Sequence, residues 1–297
     1  MKRFIPGLAK RKEQYDLLLK DLEKRPVFRI DYPVYFKTTK DTNIDNMSEE
    51  DKAAYNSGAG GELKEHKNRY GKIVPPSMLS VASSSRFCYL SLRDSDLSVF
   101  GINQSGFRRR FEEKLPILDK GIPPHMDAYY EAKEEICFFE CKCHEQFDSH
   151  EIKLAESYFG KGLIVDQIFA GKDFIGLKEK SDDGKETLYR KYSPSIFGVS
   201  ENPRFDIKQL LTHIMGIRER MKKEPSKKAR LIYFYFIPKA VEANKDLQQI
   251  IDLLEEETKT IFKFVKRYVN DISFNLYFQR SNTVTTAQNN NVEEIIK

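Results

Sequence analysis

Apolar positions set the expected elements. In FDIKQLLTHIMGIRERMKK (205–223), Ile207, Leu210, Leu211, Ile214, Met215 and Ile217 recur at helical spacing and predict a helix with one buried stripe. RLIYFYFIP (230–238) is almost unbroken apolar sequence and predicts a buried strand, DLQQIIDLLEEETKTIFKFVKRYV (246–269) a long amphipathic helix, and ISFNLYFQ (272–279) an alternating strand before the polar tail SNTVTTAQNNN. Upstream, RRRFEEKLPIL (108–118), HMDAYYEA (125–132) and EEICFFECKC (134–143) are short, aromatic or β-branched, and separated by turns, which predicts an antiparallel meander. Met78, Val81, Phe87 and Leu90 space PPSMLSVASSSRFCYLSL (75–92) as a packed helix. HEIKLAESYF (150–159) also reads as helical, and SDDGKE (181–186) as a turn. Tyr15, Leu18, Leu19 and Leu22 suggest an N-terminal amphipathic helix over 11–25, ahead of a β-like stretch at 27–37. The polar segment 38–61 has too few large apolar residues for a core of its own and reads as a loop or linker.

One strand carries charges that folding does not ask for. CFFECKCHEQF (137–147) begins as a core strand, then places Glu140 and Lys142 two apart, on one face, with Cys141 and Cys143 on the other. Burying either ion unpaired costs roughly several kcal/mol. A two-residue turn at Lys133-Glu134 would set Asp127 of the preceding strand directly across from Glu140, whereas a loop with an odd number of residues would turn one carboxylate to the opposite face. Two ionised carboxylates about 4 Å apart repel by roughly 4 kcal/mol at an effective dielectric near 20. A divalent cation removes the conflict. Two carboxylates completed by waters and a substrate phosphate suit Mg²⁺, and Lys142 beside them can orient an attacking water or offset charge developing on phosphorus. The same three residues also read as an exposed, ion-paired hairpin worth about 0–1 kcal/mol.

Composition changes this little. The chain has 297 residues, 40% hydrophobic and 12% aromatic, enough for one elaborated domain or two, and its net charge of +5 is compatible with a polyanionic partner. No apolar run approaches the roughly 18–20 residues of a membrane span, and the N-terminus lacks a secretory pattern, so a cytoplasmic protein with no membrane partner is expected. Cys88, Cys137, Cys141 and Cys143 are then expected as free thiols. Cys141, Cys143 and His144 have no second ligand cluster nearby to complete a zinc site. Ser84 and Ser85 lack the His/Asp context of a serine hydrolase, and no Walker-type glycine loop is present. Arg108, Arg109 and Arg110 are a candidate phosphate contact, or a solvated edge.

The order of these elements resembles the PD-(D/E)XK nuclease superfamily, the fold of many restriction endonucleases: PHMD (124–127) at a strand start, a hairpin, then FFECK (138–142), with a helix before and a helix and strand after. More narrowly, SGAGGELK, VASSSRFCYL, FEEKLP, GIPPHMDAYYE and FECKCHEQF, in this order, are similar to a group of bacterial proteins described as restriction endonucleases. The resemblance implies an α/β (α+β) fold with an αβββαβ core and a central mixed sheet flanked by helices. It further implies an N-terminal arm and linker over 1–61, a nuclease-like core over 62–238, and a C-terminal helix, strand and tail over 239–297 packed on that core. It implies a Mg²⁺-dependent DNA endonuclease (Mn²⁺ a substitute), with Asp127 and Glu140 as metal ligands, Lys142 as the catalytic lysine, Gln209 or Lys208 as accessory residues, and a homodimer as one compatible assembly. The superfamily often adds an acidic residue on its first helix. SVASSSRFCYLSL has none, so Glu62 is the substitute candidate for a third metal ligand, with Glu112 and Glu113 behind it. A catalytically inactive nucleic-acid-binding protein on the same fold, and a small-molecule phosphohydrolase on another, are the competing expectations.

Overall fold

The computed structural model describes residues 44–57, 62–67, 71–80, 83–93, 97–102, 108–117, 123–143, 145–180, 184, 186–237 and 244–280, with short strands at 27–29, 34–36 and 283–286. In chain order the strands are β1 Val27–Arg29, β2 Val34–Phe36, β3 His66–Lys67, β4 Ile73–Val74, β5 Arg108–Lys114, β6 His125–Glu131, β7 Glu135–Lys142, β8 Ile152–Ala155, β9 Ile175–Lys180, β10 Glu186–Tyr192, β11 Lys228–Ile237, β12 Ile272–Arg280 and β13 Thr283–Thr286. The α-helices among the described residues are α1 Glu49–Ser57, α2 Ser84–Leu92, α3 Ile164–Ile168, α4 Ile207–Met221 and α5 Lys245–Val265. None is long and apolar enough to cross a membrane.

The architecture is mixed α/β. Its main sheet has the strand order β13-β12-β11-β7-β6-β5. The predicted meander β5-β6-β7 is antiparallel, and β7, β11 and β12 run parallel. Parallel neighbours need crossovers, and α4 and α5 lie in the connections into β11 and β12. Both faces of the sheet are covered, so the central strands divide their apolar residues between two cores. Along β11, Leu231, Tyr233, Tyr235 and Ile237 join α4 and α5, whereas Ile232 and Phe234 join α2. That alternation is why RLIYFYFIP is apolar throughout. On the α2 face, Phe87 lies 4.8 Å from Phe234 between ring centroids, and Phe100 sits edge-on to Phe139, Phe234 and Tyr277.

Three local expectations are corrected. HEIKLAESYF is not a helix: Ile152 and Leu154 alternate inward as β8 and pair with Tyr192 and Arg190 in a separate antiparallel sheet, β8-β10-β9. The pairing residues lie far along the chain, so a local reading had only an ambiguous apolar spacing to use. The polar segment 38–61 contains α1, opened by Glu49, Glu50 and Asp51, with the Ser48 hydroxyl accepting from the Asp51 N–H at 3.1 Å. Its Tyr55 is 1% exposed and stacks on Phe111 at 5.5 Å, so a few apolar residues suffice when they dock on another element's core. Residues 75–92 divide into a 3₁₀ turn at Ser77–Leu79 and the helix α2, capped by the Ser83 hydroxyl on the Arg86 N–H. The polar tail SNTVTTAQNNN holds β13, paired with β12, and residues 239–297 thus add strands to the main sheet as well as covering it. The helix expected over 11–25 lies outside the described residues.

Gly216 lets α4 lie against the end of the meander. A Cβ there would meet the Leu115 Cβ at 2.4 Å and the Leu115 carbonyl oxygen at 3.1 Å. Gly216→Ala gains about 1 kcal/mol in helix propensity but overpacks the contact by about 1–3 kcal/mol or more. We expect a lower melting temperature in thermal denaturation; an unchanged or higher value would show that α4 has room to move.

Candidate active site

The hairpin sets the site. The Ala132 N–H donates to the Glu135 carbonyl at 2.8 Å, closing the two-residue loop at Lys133-Glu134, and the ladder runs from Glu131–Ile136 to Ala128–Phe139. Asp127 and Glu140 are the next positions. Here the backbone pairing stops, and the Asp127 carboxylate itself accepts from the Cys141 N–H at 2.6 Å. On β5, Phe111 pairs with Ala128 and Glu113 with Met126, which leaves Glu112 at the level of Asp127. On the other side Glu140 pairs with Tyr233. Glu112, Asp127, Glu140 and Tyr233 therefore form one row across four strands.

Glu140 is 3% exposed. Its Oε1 receives the Lys142 ammonium at 2.6 Å and the Gln209 Nε2 at 2.7 Å, while His213 Nε2 stands 3.7 Å from Oε2. Asp206 caps α4 through the Gln209 N–H at 2.8 Å and so fixes the turn from which Gln209 reaches in. Tyr233 turns its hydroxyl to His213 Nδ1 at 3.4 Å. Glu145, just past β7, accepts from the Ser84 hydroxyl at 2.8 Å and the Cys143 N–H at 3.0 Å, tying the start of α2 to the end of β7.

The electrostatics are those of crowded carboxylates around one ammonium. Burial, then the charges of Glu140 and Glu112, hold the Asp127 carboxyl well above the usual aspartate range, and Lys142 and the Cys141 N–H only partly oppose this. Burial also lifts Glu140 against the pull of Lys142. Burial would lower the Lys142 ammonium, but Glu140, Glu145 and Asp127 outweigh it and raise its pKa. His213, 1% exposed, is pushed down to about 3 by burial and then by Lys142, so its ring is neutral near pH 7.

A carboxyl whose folded pKa is raised binds its proton more tightly folded than unfolded, so stability falls as pH rises through the window above the ordinary aspartate value. With chelator present, the wild-type melting temperature should carry this downward contribution as pH rises above the ordinary aspartate value of about 4, and Asp127→Asn should remove it. Identical pH profiles for the two proteins would place the strain elsewhere.

The other expected site residues are distributed unevenly. Glu62 is beside Glu112, His66 and His125, with burial and Glu112 raising its carboxyl; its Oε2 is buried without a hydrogen-bond partner. Glu112 is 9% exposed, lies 3.5 Å from His125 Nδ1, and is the one non-glycine residue among those described with positive φ, at 53°. Such a backbone is strained for glutamate. Lys208 points to solvent while its neighbour Gln209 reaches Glu140. Arg109 is engaged by Asp51 at 3.2 Å and by the Arg93 carbonyl, and Arg110 by Glu113 at 3.6 Å. Arg108 is exposed and pairs at the level of Glu131, about 14 Å along β5 from the acidic row. The four cysteines are buried and free of disulfides; His144 lies outside the described residues.

Sequence reading assigned no part to His213, Tyr233 or Glu145. His213 follows Gln209 by four on α4, one turn further along the same face, and was legible as a neighbour. Tyr233 was hidden in an apolar run, and Glu145 depends on a contact with Ser84 that only the fold creates.

Among the described residues, no group of three or more His, Cys, Asp or Glu is arranged to hold a metal ion; the Asp127–Glu140 pair is the candidate. Two hard oxygen donors, with one ammonium to offset several nearby carboxylates, fit an ion such as Mg²⁺ that keeps most of its waters. Compared with protein-family models, curated proteins and solved structures, the chain matches none.

Proposed function

We propose that the protein is a Mg²⁺-dependent endonuclease of restriction type that hydrolyses phosphodiester bonds of DNA on an αβββαβ nuclease core. The observation that carries the reading is the convergence of Asp127, Glu140, Lys142 and Gln209 at the level where the β6–β7 ladder opens. The order α2, β5-β6-β7, α4, β11 supports the same core. Asp127 and Glu140 would hold the cation, which when bound supplies Lewis acidity at phosphorus and a more acidic water. Lys142 keeps its proton among Glu140, Glu145 and Asp127, and so presents a fixed positive charge to an attacking water or a phosphate oxygen. Gln209 orients Glu140 through Oε1.

The 2.6 Å Glu140–Lys142 contact also suits a purely structural ion pair, in which case the scaffold binds nucleic acid without cutting it. Cleavage separates the two. Supercoiled plasmid, linear duplex, single-stranded DNA and RNA should be incubated with Mg²⁺ or Mn²⁺ beside a Lys142→Ala control. Cation-dependent cutting of DNA, abolished by chelator and by Lys142→Ala, is the expected result. Hydrolysis of small phosphate esters with every nucleic acid intact would favour a phosphohydrolase, and binding without hydrolysis the inactive scaffold.

A further inference from the structure

We infer that His213 is a positioning residue that sets the separation of Asp127 and Glu140 by bridging the strands that carry them. The inference rests on the cation-site reading above. Backbone pairing cannot set that separation, because the β6–β7 ladder ends at Ala128–Phe139 and Asp127 takes the Cys141 N–H with its side chain. That bond fixes the Asp127 carboxylate against β7, and the place of the Glu140 carboxylate then depends on the groups around it. The described hydrogen bonds of Glu140 both fall on Oε1, from Gln209 and in the ion pair with Lys142, which leaves Oε2 as the oxygen a cation could take.

His213 occupies the junction. It is almost completely buried, it sits close enough to the His125 backbone on β6 for that backbone to oppose the lowering of its pKa, and its Nε2 lies 3.7 Å from Glu140 Oε2 on β7. The Tyr233 hydroxyl on β11 is 3.4 Å from its Nδ1. With Tyr233 donating to Nδ1, the single ring N–H sits on Nε2. At 3.7 Å that N–H does not hydrogen-bond Oε2, so the ring fixes the carboxylate's place by contact and leaves the oxygen's lone pairs free. A ring bonded to β11 and wedged from α4 against β6 and β7 acts as a spacer. Groups that orient ligands in this way typically change metal affinity by about 10–100-fold when removed.

The test reads binding and ring state as well as cleavage. Mn²⁺ titration should give at least about tenfold weaker binding in His213→Ala, while His213→Gln, which keeps one N–H donor, should stay within about threefold of wild type. Histidine ¹⁵N spectra of the wild type should show His213 as one tautomer with the proton on Nε2, and Tyr233→Phe should mix the tautomers. If His213→Ala does not fold, the His213→Gln and Tyr233→Phe measurements decide the matter. Mn²⁺ binding that is equally tight in wild type and a folded His213→Ala, or a proton found on Nδ1, overturns the spacer role and leaves the site intact. A wild type that binds no Mn²⁺ removes the cation site, and the spacer role with it.

Discussion

Glu140→Gln is expected to reduce cleavage by about a hundredfold or more while the protein stays folded. The loss follows from removing an anionic oxygen pair from a two-carboxylate cation site, since charge stabilisation at phosphorus is commonly worth several kcal/mol, and about 1.4 kcal/mol is tenfold in rate. Stability is governed by opposing terms. The substitution ends the repulsion of Asp127 but takes a partner from Lys142. Asp127, whose carboxyl Glu140 helps push up, can then ionise more readily and supply negative charge, and Glu145 remains near the ammonium. The melting temperature should therefore move by no more than the equivalent of about 1–2 kcal/mol. Kinetics and thermal denaturation on the same preparation check both halves. Wild-type cleavage in a folded Glu140→Gln protein would return Glu140 to a structural ion pair.

Lys142→Met should produce the larger stability loss. The Lys142 side chain is 12% exposed and the Glu140 side chain 4%, so the substitution leaves buried carboxylates without their ammonium. Removing one partner of a buried pair typically costs about 3–5 kcal/mol. Because Asp127 and Glu140 would then lack a counter-charge, a divalent cation should raise the melting temperature of Lys142→Met by more than it raises that of wild type. Cleavage should be lost even at saturating cation, because the fixed charge beside the water is gone. A Lys142→Met protein as stable as wild type in chelator, or one indifferent to Mg²⁺, would show that the carboxylates do not share a cation-binding cleft.

The parts of this arrangement legible in the sequence were those governed by short-range periodicity. The two-residue turn at Lys133-Glu134 fixed the level of Asp127 against Glu140 because strand side chains alternate strictly, and the stripe of 205–223 put Gln209 at the edge of a helix that packs on the sheet. What was missed depends on long-range contact. Ile152 and Leu154 look helical or extended equally well until β10 arrives beside them. Tyr55 looks like an isolated aromatic in a polar segment until Phe111 and Tyr89 cover it. The positive φ of Glu112 leaves no trace in residue type, since glutamate is not a residue that favours that conformation. His213 and Tyr233 meet only because α4 crosses β11: Tyr233 lay inside an apolar run, and His213 stood out only as a polar residue four after Gln209.

The most direct measurement is a Mn²⁺ titration of the wild-type protein by calorimetry, repeated for Asp127→Asn and Glu140→Gln. The account predicts a Mn²⁺ site in the wild type that Mg²⁺ competes for, and that is weakened about tenfold or more in each folded variant. A wild type that binds no cation, or variants that bind as tightly as wild type, would contradict it.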